Sequence, residues 1–196
     1  MGQITPHSEV IMESVGEVLA SKILIIVQNL PVPFDRRVWL EARTLTEAGY
    51  KVSIICPKGQ HGKYQEKHEY LEDIHIYRYP PPPEAHGFLG YAVEFIYCWL
   101  MTAFLSLKVW HEHNFDVIHA CNPPETYFLL ALVYKLFGKK FIFDHHDLSP
   151  EMFLAKGGRK AGMLYRGLLL LEKLTFKTAD VVITTNESHK QIAIAR

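Results

Sequence analysis

The chain has 196 residues, 48% hydrophobic and 12% aromatic, enough for one well-packed α/β domain and too few for two large ones. Lys and Arg number 21 and Asp and Glu number 21, so no net field exists to attract nucleic acid. Cys56, Cys98 and Cys121 are odd in number, far apart and free of C-x-x-C spacing, which gives no disulfide framework or cysteine zinc site and fits a reducing cytosol.

The first 21 residues lack a basic start and a long apolar run, so they read as a loose leader and not as a secretory signal. Residues 22–196 read as the folded domain. KILIIVQN, from Lys22, is short, apolar and β-branched, and Pro31 and Pro33 follow it, which predicts a first buried strand. Asp35 is placed to cap a helix over RRVWLEARTLTEAG, where Val38, Ala42 and Leu45 recur at helical spacing and Gly49 supplies the stop. YKVSIICP is strand two. After a charged segment at 59–73, DIHIYRYP is strand three, ended by four prolines at 80–83. Residues 87–113 read as an apolar helix. DVIHAC is strand four, 124–138 a helix with Pro at its first position, KKFIFDH strand five, 164–179 a helix and DVVITTN strand six, with ESHKQIAIAR opening a last helix. Strands apolar throughout and alternating with helices predict a Rossmann-like, doubly wound parallel sheet of about six or more strands, covered on both faces.

Ligands of such sheets lie in the crevice beyond the carboxyl ends of the strands. The residues there are polar: Asn29 with PVPFDRR, Asn122 with PPE, His145 with His146 and Asp147, and Asn186 with Glu187. The first strand-to-helix turn has no glycine between Gly16 and Gly49 and so lacks G-x-G-x-x-G, while G-x-x-x-x-G-K-[ST] is absent as well. Both absences speak against an independent nicotinamide- or flavin-dependent oxidoreductase. Arg36 and Arg37 either hold an anionic group through their planar forks or are solvated behind the Asp35 cap. His145 and His146 are adjacent in an extended segment, so they face opposite ways and do not share one ion; no metal is expected. His145 reads first as a histidine satisfied by strand-end carbonyls, and His146 either as that or as a cleft residue.

ILIIVQNLPVPFDRRVWLEARTLTEAGYKVSIICPKG, FDHHDLSPEMF and ADVVITTNESHKQ resemble the N-terminal half of the family 4 glycosyltransferases, the retaining GT-B enzymes that build polysaccharides and glycolipids. The resemblance spans about residues 22–196, and DRRVWLEA together with HDLSPE is its most specific part. It implies one half of a GT-B fold: the acceptor-side domain of an enzyme that moves a sugar from a nucleotide-diphosphate sugar to a glycan or polyprenyl-lipid acceptor. No cofactor beyond that co-substrate is implied. It places His146 beside the donor sugar with Asp147 fixing it or the following turn, and the loop with Pro33, Asp35, Arg36 and Arg37 on the acceptor side; Asn122, Glu125, Glu151 and Asn186 are the further acceptor and sugar contacts. Many members carry Gly-Gly in the first loop, and this sequence does not. The C-terminal donor-binding domain of the family is absent after Arg196, so the expected chain is a fragment, inactive alone, or one subunit of a split enzyme completed in cis or in trans. The alternative function is a non-catalytic acceptor-binding or membrane-recruiting subunit.

FLGYAVEFIYCWLMTAFLSLKVW, residues 88–110, has the length of a membrane span, yet it lies where the sheet needs a crossover. A core or interdomain helix, an interfacial helix touching lipid and a true span are its three readings, in that order. A cytoplasmic protein, peripheral on the inner face of the cell membrane, is the matching expectation.

Overall fold

Alternation of side chains along each strand divides the apolar residues between two faces of one sheet. In β1 (Lys22–Ile26), Ile23 and Ile25 join Val52 and Ile54 of β2 (Lys51–Pro57) and Ile74 and Ile76 of β4 (Ile74–Tyr79) on one face. Leu24 and Ile26 join Ile118 of β5 (Val117–Cys121) and Phe141 and Phe143 of β6 (Lys140–His145) on the other. The computed structural model describes residues 21–59, 62–82, 87–157, 159 and 162–196. Except for Ser21, the expected leader lies outside the described residues, as does the end of the proline run.

The strand order is β3-β4-β2-β1-β5-β6-β7, with every pair parallel except β3 (His68–Leu71) on β4. The antiparallel β3 adds a strand within the charged segment 59–73, to which the sequence reading assigned no element. Its burial alternates between exposed and half-buried, as an edge strand with one wet face does, and that pattern carries no apolar run. β7 (Val181–Thr184) forms the opposite edge.

Helix α1 (Arg36–Glu47) covers the first face through Val38 and Ala42. Gly49 ends it at φ +90°, the conformation only glycine adopts without strain, with the Tyr50 N–H bonded back to Leu45 O. Helices α2 (Gly87–Glu112), α3 (Phe128–Lys135) and α5 (Met163–Thr178) lie on the second face. A short α4 (Ser149–Ala155), which the sequence reading left unassigned, follows the His146 turn, and α6 (Glu187–Ala195) follows β7.

Helix α2 is long and apolar enough to cross a membrane over Ala92–Glu112. It nevertheless lies on the sheet as the crossover from β4 to β5: Cys98, Leu105 and Val109 are core residues, and Ser106 Oγ and Thr102 Oγ1 lie 2.9 and 3.2 Å from the hydroxyls of Tyr134 and Tyr127. A helix so engaged serves the sheet as its crossover, in line with the first of the three readings, a core helix. Its outer side keeps Val93, Ile96, Leu100, Phe104 and Leu107 exposed at spacings of three and four, and Leu129, Leu132 and Val133 of α3 are exposed as well.

Sequence order reverses between β1 and β5: β1 feeds α1 on one face, β5 leads to α3 on the other, and the two strands are neighbours. Their carboxyl ends therefore open a crevice, the position where open α/β sheets bind ligands.

Candidate functional site

Asn122, the first residue past β5, organises the rim. Its side-chain Oδ1 accepts from the backbone N–H groups of His146 (2.9 Å) and Asp147 (3.0 Å), and its Nδ2 donates to Asp147 O (2.6 Å) and Glu125 Oε1 (3.1 Å). Glu125 Oε1 also accepts from Ser149 Oγ at 2.5 Å, and the Glu125 carbonyl accepts from Thr175 Oγ1 at 2.6 Å. Asn122 and Glu125 are buried, so these bonds form out of water's reach and clamp the HHDLS turn to the loop after β5. They also explain why the helix expected from residue 124 begins only at Phe128: the PPET segment spends its polar groups on the turn instead of on a helical first turn.

His145 and His146 do point to opposite faces. His145, fully buried, sets Nε2 3.0 Å from Glu172 Oε1 of α5, so a carboxylate and not a strand-end carbonyl partners that nitrogen, while Nδ1 is buried without a hydrogen bond. His146 is half-buried on the α1 side, with Nδ1 3.6 Å from Asp144 Oδ2. Asp144, 1% exposed, is also ion-paired with Arg37 and lies 4.0 Å from His119 Nε2, which is in turn 3.5 Å from Glu41 Oε1. Arg37, Glu41, His119, Asp144 and His146 thus meet where β5 and β6 end under the first turn of α1. Among the described residues, His119 Nε2, His146 Nδ1 and both Asp144 oxygens are buried without a hydrogen bond, beyond the Arg37 ion pair. Buried polar atoms are nearly always bonded to protein, water or ligand, and the orphans gathered here make the crevice the candidate site.

The remaining candidates divide. Asp35 caps α1, its Oδ1 accepting from Val38 N at 3.1 Å, and Arg36 is exposed and makes no side-chain bond among the described residues. Pro33 is half-buried between buried Val32 and exposed Phe34. The loop they share is held from below by Arg78, 2% exposed, which donates from Nη2 to Val32 O at 2.7 Å and pairs with Glu69 at 2.6 Å. Glu151 pairs with Arg196, which also bonds Glu172 at 2.5 Å; this joins Glu151 to the His145 side of the sheet and not to His146. Asn186 is exposed and caps α6 through His189 N at 2.9 Å. Sequence reasoning passed over Glu41, His119, Asp144 and Arg78; single polar residues inside apolar strands (VIHAC, FIFDH, IYRY) were the available signal, and Glu41 stands one helical turn after Arg37.

Burial, then Arg37 and His146, holds His119 down at about 4, while burial raises Glu41 against the pull of Arg37 and His146. Burial and Arg37 also lower His146, so both imidazoles are neutral acceptors or donors at neutral pH. Because the folded His119 binds its proton below the unfolded value of 6.5, the unfolded chain is the more protonated between pH 6.5 and 4, and stability falls as pH falls through that window. Urea midpoints should show the wild type losing about 2 kcal/mol more than His119→Gln between pH 7 and 4.5. Equal losses would mean that His119 titrates normally.

His119, Cys121 and Asp144 offer ligand atoms within 4.8 Å of one another. Burial raises the Cys121 thiol and the Arg37 guanidinium already compensates Asp144, both of which disfavour a cation there.

An α/β sheet with this strand order and its polar cluster at the switch point is a Rossmann-like half of a GT-B fold. Residues 35–196 match the glycosyl transferase 4-like domain family, and the chain belongs to it. No curated protein matches the chain.

Proposed function

We propose that the chain is the acceptor-side domain of a retaining glycosyltransferase of the hexosyl-transferring type, which moves a sugar from a nucleotide-diphosphate sugar to a glycan or lipid-linked acceptor. Family membership supports transfer chemistry, and the cluster of Arg37, Glu41, His119, Asp144 and His146 at the crevice, with His119 Nε2 and His146 Nδ1 unbonded, carries the assignment of the site. Breaking the bond to the diphosphate develops positive charge on the sugar ring and negative charge on the leaving phosphate. Neutral His146, fixed through the backbone by Asn122, orients a sugar hydroxyl near the anomeric carbon; Asp147 holds the turn; Arg37 faces an anionic acceptor group or the phosphate from the Asp144 side. A single cationic side chain is too little for a diphosphate, so a second GT-B domain, in cis or in trans, holds the nucleotide and closes a dry cleft. Such an enzyme works in the cytoplasm.

In the full-length protein, His146→Ala should lower kcat/KM by tens of fold without changing the folded fraction, and NMR of the product's anomeric configuration reads retention. A kcat/KM within a factor of about two of wild type would overturn the role. The alternative is a non-catalytic subunit recruited to the inner face of the membrane, which would show no transfer of its own and for which the exposed band at Ile96, Leu100 and Phe104 is the supporting surface. That reading in turn requires liposome binding that Phe104→Lys weakens.

A further inference from the structure

At the rim opposite the crevice, three histidines come together from three elements. His68 stands on β3, His75 on β4 and His113 just past α2, and one ring nitrogen of each lies within 4.8 Å of those of the other two. Antiparallel pairing sets His68 opposite Tyr77 and His75 opposite Tyr70, which puts both histidines on the face that meets the end of α2. His68 Nε2 and His75 Nδ1 are 3.2 Å apart. That separation is close to the ~3.3 Å between two ligands bound tetrahedrally at about 2.0–2.1 Å from zinc.

The third ring stacks on His75, with ring centroids 4.0 Å apart, and turns about its side-chain bonds to bring a nitrogen onto a shared ion. The Tyr77 hydroxyl lies 2.7 Å from Glu112 Oε2 and 2.7 Å from His113 Nε2. It has one proton, which goes to the carboxylate, so His113 Nε2–H donates to the Tyr77 oxygen and Nδ1 is left unprotonated. A carboxylate acting through a hydroxyl on an imidazole is the outer-shell arrangement that metal-binding histidines use. The cluster opens onto a groove of about 550 Å³ lined by Lys22, Tyr70, Asp73, His75, Glu112 and His113. Lys22 also lines this groove, its Nζ bonded to the His113 carbonyl at 2.9 Å.

We infer that His68, His75 and His113 form a site for a divalent transition-metal ion, Zn²⁺ or a close analogue, with three imidazole ligands and one position open to the groove. Such an ion ties the edge hairpin β3–β4 to the end of α2, where the sheet is otherwise least protected. It lies apart from the crevice, with no part in sugar transfer.

Metal-stripped chain titrated with Co²⁺ should develop the visible bands of tetrahedral coordination without the sulfur-to-cobalt charge-transfer band that Cys121 would add. Zn²⁺ should displace the Co²⁺ and raise Tm by mass action. His68→Asn, at an exposed edge position where folding is undisturbed, should weaken Co²⁺ binding at least tenfold, and Tyr77→Phe, which keeps the ring packed, about tenfold. Absence of binding up to about 100 μM Co²⁺, or unchanged affinity in His68→Asn, would overturn the site; so would a cysteine charge-transfer band, which would relocate the ion to the crevice cluster.

Discussion

Asn122→Ala should lower the unfolding free energy by about 3 kcal/mol and, in the full-length protein, kcat/KM for sugar transfer by about 100-fold. The side chain makes four hydrogen bonds, three of them to the backbone of the turn that carries His146 and Asp147. Alanine leaves the two N–H groups and Glu125 Oε1 without that partner in a buried setting, where each unsatisfied group costs about 1–3 kcal/mol, partly recovered by relaxation of the turn. The activity term arises separately, because a turn freed by fractions of an ångström misplaces the imidazole. Asn122→Asp separates the two: it keeps an acceptor for His146 N and Asp147 N but loses the Nδ2 donor and sets a charge beside Glu125, so it should cost stability while retaining more of kcat than alanine does. Urea denaturation and initial rates measure both. A loss below about 1 kcal/mol with full activity would show that the HHDLS turn is held by something else.

The second large effect falls on Arg37, for which the sequence left two readings open. If it were a solvated residue of an exposed first turn, Arg37→Ala would change stability by less than about 0.5 kcal/mol. Its partner Asp144 is 1% exposed and has no hydrogen bond, so removing the guanidinium strands a buried carboxylate. Stranding a buried charge costs 3–5 kcal/mol when complete; with Arg37 itself partly exposed, about 2 kcal/mol is expected. Adding Asp144→Asn in the same chain should return most of that loss, giving a coupling of at least about 1 kcal/mol in a double-mutant cycle. Additive losses would show that the two side chains do not act as a pair, and would take Arg37 out of the candidate site.

Much of the architecture was readable because the physics that makes it is local. Continuous apolar runs such as KILII and FIF bury both faces of a strand, and Asp35 caps and Gly49 stops α1. The opposite orientation of His145 and His146 followed from the two-residue period of a strand, and DRRVWLEA with HDLSPE carried the resemblance that family membership bears out. β3 went unread because its partner supplies its order: HEYL has no apolar run, and only pairing with β4 makes it a strand. Helix α4 and the late start of α3 were likewise set by the turn network around Asn122 and Glu125, which joins residues 24 to 50 positions apart.

The sequence by itself therefore determined the alternation of strands and helices, the rim on which the polar loops gather and the residues that terminate each element, since each depends on spacing within a dozen residues. Only the tertiary structure decided who meets whom. It set Arg37 on Asp144 and not in solvent, sent Glu151 to the His145 side, made Asn122 a clamp, and assembled three histidines from β3, β4 and the end of α2. Partnerships between distant side chains depend on sheet order and on which face each strand presents, and the reversal of order beside β1 is a property of the folded sheet that no window of sequence contains.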